Sequence, residues 1–296
     1  MKDIVILSGK GGVGKSTITA SLGTILSEDY KVVMADTDVD EPNLELFFDA
    51  VQRESKEIST SEKAFIVYAK CTGCLQCIDV CKFSSLIVSK DKPLVVSYSC
   101  EGCGACTIIC PEDAIEIKRV INGKITVSDM NETVIVSGEL NIGESSSGGI
   151  VDEVKKTARK EAERLNALLI ITDGPPGIGC PVISSMKDSN YVIAVTEPTP
   201  AALNDLHRVT EVISHFKIPF GLVINKSDIY PIGIQAIKDF AKINNSPILS
   251  EIPYDVHIPK AIAQAMPVVT ACPKAPSSVT MIKLANKLKD IIKKLE

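Results

Sequence analysis

Two cysteine runs with one spacing constrain this 296-residue chain more than any other feature. The first is Cys71-x2-Cys74-x2-Cys77-x3-Cys81; the second is Cys100-x2-Cys103-x2-Cys106-x3-Cys110, followed by Pro111. Tight, repeated spacing suits a metal cluster better than a set of cross-links. Structural zinc is the rival, but zinc prefers paired C-x2-C hooks separated by longer loops. A C-x2-C-x2-C loop can wrap three corners of an iron–sulfur cube, so residues 64–118 must fold as a compact, cysteine-lined module.

The flanking segments read differently. Ile4–Leu7 is a short apolar run, Gly9–Ser16 a glycine-rich loop, and Thr17–Ser27 has helical spacing of Ile18, Leu22 and Ile25. Lys31–Ala35 is a second apolar run ending at Asp36. Residues 51–63 are polar and charged and read as a linker. After the cysteines, Asn122-Gly123 between two strand-like runs signals a hairpin. Short buried-strand runs then recur at Thr133–Val136, Leu168–Thr172, Tyr191–Thr196 and Phe220–Asn225, alternating with helical stretches. That pattern predicts an α/β fold with a mostly parallel, doubly wound sheet, interrupted by a small α+β module. The expected division is 1–60 and 119–296 for the α/β domain and 61–118 for the insertion. Apolar residues make up 45% of the chain, aromatics only 4%, and Trp is absent, so the core must be mostly aliphatic.

Gly9-Lys10-Gly11-Gly12-Val13-Gly14-Lys15-Ser16, after a strand and before a helix, is a P-loop context. Backbone N–H groups of the loop and the helix start would cradle phosphates, Lys15 would reach the β- and γ-phosphates, and Ser16 would ligate Mg2+. Thr17 follows on the helix. The second lysine, Lys10, makes the loop resemble that of the MinD/ParA class of P-loop ATPases. The resemblance implies ATP and Mg2+ as ligands and a nucleotide-dependent homodimer in which Lys10 crosses to the partner's phosphates. Ala35-Asp36-Thr37-Asp38 resembles the class's switch I segment, implying Asp36 near Mg2+ and Asp38 orienting the attacking water. Ile171-Thr172-Asp173-Gly174-Pro175-Pro176-Gly177 is similar to Walker B and switch II, with Asp173 on Mg2+ and Gly177 sensing the γ-phosphate. Asn225, within Asn225-Lys226-Ser227-Asp228, and Pro253 and Asp255 resemble the base-binding segments. The N-K-x-D pattern also fits guanine, so ATP is favoured on the strength of Lys10.

The cysteine runs resemble bacterial ferredoxins with two [4Fe–4S] clusters. That resemblance implies that each fourth ligand comes from the distant run: Cys71, Cys74, Cys77 and Cys110 for one cluster, and Cys100, Cys103, Cys106 and Cys81 for the other. One departure is Lys82, where ferredoxins usually carry Pro. The whole chain thus resembles a MinD-superfamily ATPase with an inserted ferredoxin domain. Its implied function is to couple ATP binding, dimerisation and hydrolysis to electron transfer, with unknown redox donor and acceptor proteins. A scaffold or carrier for cluster assembly, and a MinD/ParA-like positioning switch with redox sensing, stand as alternatives.

Formal net charge is −5, and two clusters would take it to about −9. Nucleic acid is therefore not an expected partner. No run reaches the ~20 apolar residues of a membrane span, and the chain opens directly into a strand, so a cytoplasmic setting is expected. The amphipathic stretch Val279–Leu295 is read as sheet-covering rather than membrane-binding. Cys180 lies at the distance from Asp173 where the nitrogenase iron protein has a cluster ligand. No second cysteine stands between 111 and 172, so Cys180 is expected to be a buried structural residue, and Cys272 likewise.

Overall fold

The computed structural model describes residues 1–130, 133–144 and 147–295. The first elements are β1 (Lys2–Ser8), α1 (Lys15–Leu26), β2 (Val32–Asp36), a 3-10 turn (Leu44–Phe47) and β3 (Val51–Ile58). The cysteine segment contains β4 (Ser61–Ile66), α2 (Gln76–Asp79), β5 (Leu86–Ser89), β6 (Lys92–Val95), α3 (Ala105–Ile109) and β7 (Ile115–Val120). There follow β8 (Gly123–Met130), β9 (Thr133–Leu140), α4 (Ser147–Leu165), β10 (Leu169–Pro176), α5 (Cys180–Met186), β11 (Tyr191–Thr196) and α6 (Pro200–His215). The chain continues through β12 (Phe220–Ile224), α7 (Pro231–Ile243), β13 (Ile248–Glu251), α8 (His257–Ile262), α9 (Val268–Ala271) and α10 (Pro276–Ile292).

A nine-stranded sheet runs in the order β13-β12-β11-β1-β10-β2-β9-β8-β3. Every pair from β13 to β9 is parallel, and β8 and β3 extend that side antiparallel. The expected α/β P-loop fold is therefore present. Its central strands are apolar on both faces because helices cover both. On β1, Ile4 and Ile6 pack into one core and Val5 and Leu7 into another; on β2, Met34 and Val33 divide in the same way. The periodicity of α4 follows from its cover role, with Ile150, Val151, Val154, Ala158 and Ala162 on the buried side. In α10, Met281, Leu284, Ala285 and Leu288 sit in the core that holds Ile4 and Ile6, so this helix covers the sheet. Among the described residues no helix is long and apolar enough to cross a membrane.

Two expectations need correction. The charged stretch from residue 51 is not a linker but the edge strand β3, with every side chain exposed until Ile58. An edge strand draws its order from the backbone ladder to β8, and charges there discourage further pairing. Asn122-Gly123 is not a hairpin. Arg119 and Val120 pair with β4, whereas Gly123 onward pairs with β3 and β9. Asn122 is fully buried, and its Oδ1 accepts the Thr60 N–H at 2.8 Å. It fastens the neck where the chain leaves the large sheet and returns. Of the Gly143–Gly149 loop, residues 145–146 lie outside the described residues.

Candidate functional site

The carboxyl ends of β1, β2 and β10 meet at one edge of the sheet, where doubly wound folds bind ligands. The loop after β1 enters α1 through Gly14, whose φ of 94° is left-handed. Gly11, Gly12, Gly14, Lys15, Ser16 and Thr17 line an open cleft of about 590 Å3, faced by Asp38, Pro175 and Pro176. Lys15 is buried, with Nζ 4.0 Å from Asp38 Oδ2. Gly177 donates its N–H to Ser8 O at 2.9 Å, which ties the chain just after β10 to the end of β1 at the base of the loop.

Asp36 and Asp173 are register partners on adjacent strands and both are fully buried. Asp173 Oδ1 accepts the Thr19 hydroxyl at 3.0 Å, while its Oδ2 is buried without a hydrogen-bond partner. Asp36 accepts N–H groups from Asp38 at 3.1 Å, Asn43 at 2.9 Å and Leu44 at 2.8 Å. Burial, reinforced by Asp173, pushes Asp36 well above the usual carboxylate range. Burial also raises Asp173. Burial pushes Asp38 up to about 6 against the attraction of Lys15. Two adjoining buried carboxylates, one with an orphaned oxygen beside Ser16, form a donor set that fits a hard divalent cation.

The eight cysteines of the two runs divide into two groups of four. Cys71, Cys74, Cys77 and Cys110 line one small cavity. Cys81, Cys100, Cys103 and Cys106 line another. Backbone N–H groups of Ala64, Ser85 and Ala114 donate to Sγ of Cys100, Cys81 and Cys110 at 3.4, 3.3 and 3.3 Å. Gly102, at φ 63°, packs so closely on the Glu62 carbonyl that a Cβ would collide. Burial raises the Cys77 and Cys106 thiols. At Cys81 burial acts in the same direction, but N–H groups led by Ser85 outweigh it and hold the thiol low. Among the described residues no three His, Cys, Asp or Glu side chains converge on a single ion position. The thiols instead ring a space, as a cube with a different iron for each thiolate requires, so the residues fit a cluster rather than one ion.

Residues 4–268 match the CobQ/CobB/MinD/ParA nucleotide binding domain. The chain belongs to that family. An uncharacterized protein of Methanocaldococcus jannaschii is 38% identical over 98% of this chain and 97% of its own. The iron-sulfur cluster carrier protein of Aquifex aeolicus is 23% identical over 98% of this chain and 67% of its own. Among solved structures, the septum site-determining protein MinD of Pyrococcus horikoshii, complexed with Mg-ADP, matches with a TM-score of 0.60 at 20% identity, covering 100% of this chain and 98% of that one. At that identity the likeness is one of fold.

In this CobQ/CobB/MinD/ParA member, Lys10 has a partner that the sequence did not reveal. Its Nζ lies 3.2 Å from Glu197, just past β11, and Lys226 holds the other oxygen of the same carboxylate at 2.9 Å. Burial works to raise Glu197, but the hydrogen bonds of Lys226 and Lys10 dominate and lower it. Lys226 also donates to Gly12 O at 3.1 Å, and Asn225 Nδ2 donates to Val13 O at 2.7 Å, beside Gly14. Asn225 and Lys226 thus grip the loop's own backbone. The only advance signal for Glu197 was an acidic residue at the carboxyl end of a buried strand.

Pro253 and Asp255 do not line the cleft. The Asp255 carboxylate accepts from Ser277 N at 3.0 Å, Ser277 Oγ at 2.7 Å and His257 N at 2.9 Å. Burial opposes ionisation there, yet these donors hold its pKa down to about 2. Its carboxylate is committed to fixing α8 and α10. Cys180 is exposed rather than buried, because α5 begins where switch II opens onto the cleft.

Proposed function

We propose that the protein is an ATP-hydrolysing switch that couples nucleotide-dependent homodimerisation to one-electron transfer through two [4Fe–4S] clusters. The observation that carries this reading is that two four-thiol cavities stand on an arm spliced between β3 and β8. β3 follows the segment containing Asp36 and Asp38 in the chain, and β8 lies one strand beyond β9, the neighbour of β2. Bound clusters supply reversible one-electron storage. The protein's part is to ligate them through the two sets of four cysteines and to set their surroundings with the N–H donors to sulfur.

At the cleft, Gly9, Gly11, Gly12, Val13 and Gly14 supply the phosphate loop, with Lys15 on the β- and γ-phosphates. Ser16, Asp36 and Asp173 hold Mg2+, Asp38 orients water, and Gly177 senses the γ-phosphate. Lys10 leaves Glu197 to serve the partner subunit's nucleotide. Adenine is the favoured base because Lys10 marks the ATP-using branch. By the family resemblance Asn225, Pro253 and Asp255 would border the base beyond the residues that line the cleft, with the Asp255 carboxylate already held by Ser277 and His257. The setting is cytoplasmic, with separate donor and acceptor proteins. The Aquifex relative gives a second reading, a cluster carrier. Transfer of clusters to an apo-protein would favour that one.

The test is anaerobic titration of both clusters with and without Mg2+ and ATP. A shift of about 59 mV corresponds to tenfold coupling for one electron. Lys10→Ala should retain nucleotide binding, lose dimerisation and slow hydrolysis by about 10^3-fold. An unchanged ATPase rate in that variant, or potentials indifferent to nucleotide together with efficient cluster donation, would overturn the proposal.

A further inference from the structure

Glu45 ties the turn beyond β2 to the β8–β9 side of the large sheet, at a place that neither motif marks. It lies on the Leu44–Phe47 turn, just beyond the loop that follows Asp36 and Asp38. Its Oε1 accepts three hydroxyl hydrogen bonds, from Thr126 at 3.3 Å, Ser128 at 3.0 Å and Ser137 at 3.2 Å. Thr126 and Ser128 point the same way from β8, and Ser137 is the register partner of Thr126 on β9. Ser137 is also the register partner of Asp36 across β2 and β9.

The other end of the turn is tied to the cleft. Asn43 and Leu44 donate their N–H groups to Asp36 Oδ2. Two carboxylates therefore hold one short stretch of chain: Asp36 grips its start, and Glu45 fastens it to the sheet edge. That edge leads straight to the cysteines. β8 continues back through the buried Asn122 into β7, which pairs with β4, and the Ala64 N–H of β4 donates to Cys100 Sγ. The links from Asp36 to a thiol are hydrogen bonds, strands, one short turn and the neck at Asn122.

We propose that Glu45 is the positioning residue through which the nucleotide cleft sets the placement of the cysteine arm. The inference rests on reading the cleft as an Mg2+-nucleotide site. When Asp36 turns its carboxylate toward that site, Asn43 and Leu44 lose their shared acceptor. The turn then shifts, Glu45 releases or reseats the three hydroxyls, and β8 carries the change into the arm. A carboxylate that only pinned the turn would give the same static contacts, but removing it would leave the arm's response to nucleotide intact.

The experiment is hydrogen exchange on the full chain, purified anaerobically, with and without Mg2+ and ATP, alongside ATP affinity and iron and sulfide content. In the wild type, Mg2+ and ATP should change exchange in peptides of 61–118 and of β8 by at least about fivefold. Glu45→Ala should bind ATP within about fivefold of wild type yet lose that difference in 61–118. Thr126→Val combined with Ser128→Ala attacks the same contact from the sheet and should give the same loss, which guards against a misfolded Glu45→Ala. A Glu45→Ala protein that binds ATP and keeps the wild-type response would overturn the inference. So would a wild type that binds ATP with no change in the arm. A wild type that fails to bind ATP overturns both this inference and the ATPase reading. Absence of iron overturns the cluster reading alone, because exchange is read on the polypeptide.

Discussion

The nucleotide cleft and the cysteine arm differ in what holds them in shape. The cleft stands on strands whose side chains are buried on both faces, Ile4, Ile6 and Met34 on one and Val5, Leu7 and Val33 on the other. Its carboxylates are held there by backbone N–H groups and a hydroxyl of the polypeptide itself. The arm has little apolar interior of its own. Ala64, Leu86 and Ile115 are buried there, and the remaining buried members of that core are Cys77, Cys100 and Cys106. The difference teaches that one region is shaped by its aliphatic content, while in the other the cysteines are also the core. On the cluster reading, a unit this small would draw its stability from what its thiols bind. Anaerobic removal of iron by a chelator should therefore have an all-or-none effect on residues 61–118. Protease sites should open within that segment while the large sheet stays resistant and still binds nucleotide. Equal protection of the arm before and after chelation would break the comparison.

A second perturbation tests the other side. Lys155 on α4 is buried with Nζ 3.1 Å from Asp3 Oδ2, and it donates to the carbonyl of Ser185 and, at 2.6 Å, to that of Lys187. Asp3 also accepts the Thr172 hydroxyl at 3.0 Å. Burial pushes Asp3 up and Lys155 down, so each is secure only while the other remains. Lys155→Met leaves a buried carboxylate and the end of α5 without their cation, at a cost of about 3–5 kcal/mol. Urea unfolding followed by circular dichroism measures this, and adding Asp3→Asn should restore part of the loss. A cost below about 1 kcal/mol would show that the pair is dispensable to the sheet.

The cleft and the cysteines were legible because their chemistry is local in sequence. A P-loop needs glycines, Lys15 and Ser16 in one stretch, and each thiol loop needs its cysteines at fixed spacing. Asp36 and Asp173 were reachable because strands end there. Contacts that form only after folding were not legible. Glu197 meets Lys10 across most of the chain, and Glu45 meets hydroxyls of two later strands. β3 was read as a linker because an edge strand ordered by its backbone ladder carries no apolar pattern. Asn122-Gly123 has the local chemistry of a hairpin, yet tertiary context uses the Asn122 side chain to clamp Thr60. Asp255 matched a base-binding segment, but sequence cannot say that Ser277 and His257 already occupy its carboxylate.

The smallest expected effect is one of pH, and it separates the two regions without mutation. Asp38 is pushed up to about 6, chiefly by burial, with Asp173, Asp40 and Glu41 adding to it and Lys15 opposing. An acid with a raised pKa keeps its proton below that value, and a cation binding beside it must displace the proton. Apparent affinity for ATP with Mg2+ should then fall as the pH drops through about 6, by up to about tenfold per pH unit for this one proton. Asp36 and Asp173 are raised in the same direction and would steepen the fall. Asp38→Asn should remove one proton's worth of slope. Cluster content should stay constant between about pH 5 and 7, a window set by roughly one pH unit on either side of the Asp38 transition, because bound iron would hold the thiolates deprotonated. If nucleotide affinity and iron content instead fall together across that window, the arm and the cleft share one titrating element, and the division between a preformed site and a ligand-shaped one fails.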